Sequence, residues 1–91
     1  VLQVVMDHYG VTLSEMQDSG RAKRVSFPRQ VAMYLARTET DESFPTIGDY
    51  LGGRDHTTIL YGYEKVAELL ETDAEVRRDV MAIKSALYAV S

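Results

Sequence analysis

Two adjacent glycines, Gly52 and Gly53, separate a short apolar-patterned segment from a long one, and they constrain the fold more than any other feature of the chain. Glycine reaches backbone conformations that other residues avoid, so the pair reads as the end of one helix and a tight turn into the next. Before it, Phe44-Pro45 opens a short helix with Ile47, Tyr50 and Leu51 inward. After it, Asp55 heads a helix to about Glu71, whose Ile59, Tyr63, Val66, Ala67 and Leu70 form one stripe. A short helix, a turn of a few residues and a longer helix constitute helix-turn-helix organisation. No segment alternates apolar and polar residues as a half-buried strand does, so the expected class is all-α.

The other segments fit that class. Val1 to Met6 lead to Tyr9-Gly10, a short helix stopped by glycine, and Thr12-Leu13-Ser14-Glu15 has capping-box spacing for a single turn to about Gln17. Asp18 to Arg24 reads as a basic loop. Pro28 is expected in the first turn of a helix to about Thr38, with Val31, Tyr34, Leu35 and Thr38 on its inner face and Arg29, Gln30, Met33 and Arg37 more exposed. Val76, Val80, Ile83, Leu87 and Val90 mark a last amphipathic helix. With 91 residues and no repeat or linker, residues 1–91 are expected to form one domain. The absence of an initiator Met suggests a fragment of a longer multidomain protein.

A formal charge of −4 argues at first against a polyanionic partner. The charge is segregated, however. Residues 21–37 carry Arg21, Lys23, Arg24, Arg29 and Arg37 with no acid, whereas residues 1–20 carry three acids and no base. One basic segment inside an acidic molecule permits a local electrostatic footprint. The first turn of the helix after the two glycines supplies matching chemistry. Asp55 can accept from a cytosine amine, His56 can bond a purine edge, and Thr57 and Thr58 offer hydroxyls and methyls. In a helix-turn-helix that turn is the one that meets base edges in the major groove. Free amides at a helix start also suit the approach of Gly52-Gly53-Arg54 to phosphate.

Other chemistries find little support. The chain has no cysteine, which excludes disulfides and thiolate metal sites, and His8 and His56 alone do not make a typical zinc set. Each histidine follows an aspartate directly, and sequence neighbours diverge around a helix rather than forming an acid/base pair. No phosphate loop of the Gly-rich Lys-Ser/Thr kind occurs. No catalytic residue, metal site or cofactor is therefore expected. No apolar run approaches membrane-spanning length, and the expected setting is the cytoplasm.

Gly52-Gly53-Arg54-Asp55-His56-Thr57-Thr58-Ile59-Leu60 strongly resembles the signature of the C-terminal domain of the bacterial replication initiator DnaA. Pro28 to Arg37 is similar to that family's preceding helix, Phe44 to Asp49 to its bracing helix, and Tyr9-Gly10-Val11-Thr12 with the basic loop to its opening. The resemblance covers nearly the whole chain. It implies a Trp-repressor-like domain of about five to six helices that binds AT-rich, asymmetric DnaA boxes in double-stranded DNA at the replication origin. It places Asp55, His56, Thr57 and Thr58 on base-contacting positions of the major groove and Arg21 on a base-contacting position of the minor groove. Arg29, Gln30 and Arg37 fall on phosphate-contacting positions, with Lys23, Arg24, Pro45 and Arg54 as further backbone candidates. It also implies an ATPase in an upstream domain, a monomeric isolated domain, and other replication-initiation proteins as further partners.

Phe27 and Tyr61-Gly62-Tyr63-Glu64 depart from the family pattern and reduce positive charge near the expected DNA face. About five to seven neutralised phosphates would give a salt slope of roughly −4 to −6. A stand-alone regulator built on the same module, or a protein-interaction module with vestigial DNA binding, are the alternatives that the sequence leaves open.

Overall fold

In a computed structural model that describes residues 1–18, 20 and 22–89, six α-helices follow one another and no strand occurs among those residues. They are α1 (Leu2–Tyr9), α2 (Leu13–Gln17), α3 (Lys23–Glu39), α4 (Phe44–Tyr50), α5 (His56–Thr72) and α6 (Ala74–Ala89). The all-α expectation holds. Arg21 and Val90, both singled out above, lie outside the described residues.

Local sequence chemistry sets most boundaries. Gly10 ends α1 in the left-handed conformation at φ 67°, where its amide bonds the Met6 carbonyl at 2.8 Å. The expected capping box forms at α2: Thr12 Oγ1 accepts the Glu15 amide at 3.1 Å, and the Glu15 carboxylate accepts the Thr12 amide at 3.0 Å. Ser43 caps α4 through the Thr46 amide, with Pro45 in its first turn. Asp55 caps α5 through the Thr58 amide at 2.9 Å.

Two expectations about α3 are corrected. The helix begins at Lys23, so Lys23 and Arg24 are helical rather than loop residues and Pro28 lies inside the helix. Ala22 accepts the Val25 and Ser26 amides at 2.9 and 2.8 Å, which nucleates the helix upstream of the proline. Pro28 then forgoes a single bond near the helix start, to the Arg24 carbonyl, while its buried ring packs inside. The inner face of α3 is also wider than its apolar stripe implied. Arg29 and Met33, expected outside, are 5% and 3% exposed, whereas Thr38, expected inside, is exposed. Four helices, α1, α2, α4 and α5, pack against α3.

Every helix feeds one core. Val5, Met16, Leu35, Ile47, Ile59 and Ile83, one from each helix, are fully or almost fully buried, each such side chain contributing roughly 1.5–3 kcal/mol. The most extensive helix pair is α3 with α5. Gly62 makes it possible, because a Cβ at that position would run into the Met33 sulfur.

Candidate nucleic-acid interface

The turn between α4 and α5 is built around one carbonyl. Gly48 oxygen accepts the Leu51, Gly53 and Arg54 amides at 3.3, 2.9 and 3.0 Å, which folds the chain back on α4. Gly52 and Gly53 have φ of 88° and 75°, so both need the conformational freedom that only glycine has cheaply. A Cβ on Gly48 would collide with the Arg54 carbonyl, and one on Gly52 with the Gln17 carbonyl. The turn is thus pressed against the end of α2.

This packing leaves the first turn of α5 at the surface. His56, Thr57 and Thr58 are exposed, and Asp55 caps the helix from a solvent-facing position. The Thr58 amide holds the Asp55 carboxyl below the usual carboxylate range, so the cap is charged across the physiological pH range. One turn on, Leu60 and Tyr61 are exposed as well, Tyr61 by 62%. Tyr63 turns the other way, stacking on Tyr34 at 5.4 Å between centroids and meeting Phe44 edge-on at 5.8 Å. Of the tyrosines that depart from the family pattern, one faces solvent on α5 and the other knits α5 to α3 and α4.

The expected backbone-contacting residues divide into two groups. Lys23, Arg24, Arg37 and Pro45 are exposed. Arg24 is ion-paired with Glu15, and Arg37 lies 5.3 Å from the centre of the Phe44 ring, a cation–π distance. Arg29 and Arg54 are different. Arg29 donates from Nε to Met16 oxygen at 3.1 Å, from Nη1 to Gly20 oxygen at 2.5 Å and from Nη2 to Glu15 oxygen at 2.7 Å. Half-buried Arg54 donates to the Leu51 and Asp18 carbonyls and, at 3.4 Å, to that of Met16. Burial first, and then the neighbouring Arg54 cation, push the Arg29 guanidinium below its ordinary range. Gln30 is half-buried and lies against Gly62.

The two guanidinium groups border an open groove of about 440 Å³ with Gln17, Gly20, Ser26, Gly52 and Thr58. Gly20 and Ser26 of its lining come from the sequence around the basic segment, and Thr58 from the first turn of α5. Sequence reasoning missed this use of Arg29 and Arg54. The only hint available was that each lies near a short element whose terminal carbonyls need donors.

The family model "Bacterial dnaA protein helix-turn-helix" matches residues 1–66, a range that contains α1 to α4, the turn and the first part of α5. The chain belongs to the bacterial DnaA helix-turn-helix family. It is 51% identical over 84 residues to the chromosomal replication initiator protein DnaA of Chloroflexus aggregans, covering 92% of this chain and 18% of that protein. It is 44% identical over 88 residues to DnaA of Herpetosiphon aurantiacus, covering 97% of this chain and 19% of that protein, and 48% identical over 88 residues to DnaA of Thermomicrobium roseum, with the same coverage. The chain spans about a fifth of the length of these DnaA relatives. It is the DnaA-type helix-turn-helix DNA-binding domain rather than a catalytic one. Among the described residues no helix is long and apolar enough to cross a membrane.

Proposed function

We propose that this domain recognises short, asymmetric, AT-rich duplex sites of the DnaA-box kind at a replication origin. In this reading the first turn of α5 lies in the major groove and the basic loop in the adjacent minor groove. One observation carries it: Asp55, His56, Thr57 and Thr58 form an exposed helix start that is already capped, beside a cation-rich segment free of acids. A capped, exposed first turn offers base edges side chains that the fold does not otherwise need.

The chemistry of each contact follows. Asp55 uses Oδ1 on the Thr58 amide, and a carboxylate has a second oxygen for a cytosine amine. His56 suits a purine edge, and the threonine methyls suit thymine methyls. Arg21 is the minor-groove cation, where a narrow A·T tract concentrates negative potential. Lys23, Arg24 and Arg37, with Pro45, follow the phosphates. Reading two grooves with one subunit serves an asymmetric site without a two-fold dimer. ATP binding, nucleotide hydrolysis and contacts with other initiation proteins are assigned to the remaining four-fifths of a DnaA-like protein, acting in the bacterial cytoplasm.

The test is an electrophoretic mobility titration on a DnaA-box duplex against a scrambled duplex in excess competitor. Selective retention of the box is the expected outcome. Equal retention of the two would sink the reading.

A further inference from the structure

Arg29 and Arg54 are cations in a DNA-binding domain, yet their donors are directed to the protein's own backbone. Arg54 sits in the turn that leads into α5 and reaches across to the carbonyls of Met16 and Asp18 at the end of α2. Arg29 reaches from α3 to the carbonyls of Glu15, Met16 and Gly20. Gln17 adds a third tie, donating from Nε2 to the Tyr50 carbonyl at 3.0 Å. The Gly52 backbone lies so close to the Gln17 carbonyl that no side chain fits between them. The backbone that leads into Arg21, at Asp18 and at Gly20, is therefore tied to α3 and to the turn that launches α5.

We infer that Arg54 and Arg29 are positioning residues that fix the distance between the minor-groove loop and the major-groove helix, so that the two readouts act in one register. This rests on the two-groove reading above and adds how its halves are held together. A phosphate clamp acts through charge, which lysine retains. A fork that spans carbonyls on two elements acts through geometry, which lysine lacks.

The test uses Arg54→Lys, Arg29→Lys and Gln17→Ala with four duplexes: the box, the box altered only at its A·T minor-groove end, the box altered only at its major-groove bases, and a scramble. Arg54→Lys and Arg29→Lys are expected to bind the scramble within about twofold of wild type with an unchanged salt slope, because charge is conserved. Their preference for the box over the A·T-altered duplex is expected to fall about tenfold, because the loop has lost its register. Gln17→Ala removes an exposed, uncharged tie, and is expected to stay folded while losing roughly two- to fivefold of the same preference. A Lys variant that keeps full A·T discrimination overturns the inference, and so does a Gln17→Ala variant indistinguishable from wild type. If a Lys variant does not fold, Gln17→Ala decides. The wild-type arm separates the two claims: failure of wild type to prefer the box sinks the two-groove reading itself, whereas wild-type preference retained by the variants sinks only the register.

Discussion

Arg29 and His56 belong to two regions that lie close together and are built on opposite terms. Around Arg29 and Arg54, buried or half-buried cations meet backbone carbonyls at the end of α2, and the charge is engaged internally. At the start of α5, polar side chains stand exposed, with Asp55 alone needed to complete the helix. The first region holds the fold together, and the second is the one proposed to read bases. Polarity alone does not separate them, because both regions are built of charged or polar side chains. What separates them is whether the folded backbone already satisfies the group.

The largest effect that could break this contrast is on stability. Arg29→Ala leaves the Glu15, Met16 and Gly20 carbonyls without their donor and is expected to cost about 2–4 kcal/mol, a Tm drop of roughly 10–25 °C by thermal unfolding. A loss below about 0.5 kcal/mol would return Arg29 to the surface cations. Gly52→Ala comes next, at about 1–3 kcal/mol, because a Cβ meets the Gln17 carbonyl at a φ of 88°. Urea denaturation measures it. On the reading side the pattern inverts: His56→Ala and Thr57→Ala are expected to leave stability within about 0.5 kcal/mol while each lowers box-over-scramble preference by about 1–3 kcal/mol in a competition titration.

The contrast also sharpens the salt response. With Arg29 and Arg54 engaged internally, the remaining cations of the segment are Arg21, Lys23, Arg24 and Arg37. The slope of log K against log salt is then expected at roughly −3 to −4 rather than the −4 to −6 implied by counting every cation. A measured slope near −6 would put Arg29 and Arg54 back on phosphate.

The smallest expected effect is on acid stability. A Thr58 amide bond depresses the Asp55 carboxyl, so the folded state binds its proton less readily than the unfolded state. The resulting stabilisation is fully present above the unfolded-state value and is lost as pH falls through the folded one, that is, below about pH 4. The Tm gap between wild type and Asp55→Ala is therefore expected to narrow as pH is lowered from about 5 to 2. A gap that stays constant would mean the carboxyl caps equally well when protonated.

Features decided by neighbours in sequence were legible before any coordinates. Gly10, the Thr12–Glu15 box, the glycine turn and the Asp55 cap each depend on residues within a few positions of one another, and each appears where the pattern put it. Arg29 was not legible for the opposite reason. A hydrophobic stripe treats arginine as outward-facing, but α2 docks its terminal carbonyls on that side of α3, and carbonyls are polar partners that a stripe does not register. Met33 was misplaced because the side of α3 facing α5 is buried too, and Pro28 because the residues before it can start a helix unaided. Gly48 and Gly62 carry no turn signal. Their role is close approach, which only the packed structure reveals.

Gly62 bears on any attempt to alter the proposed base preference. It favours the present azimuth of α5: a rotation of one residue, about 100°, would bring Tyr61 or Tyr63 against the buried Met33 side chain, which would have to shift. The outward direction of residues 56 to 58 is therefore favoured some five residues downstream by a contact that none of them touches. Recoding can proceed by exchanging those side chains alone, in libraries that leave the core untouched.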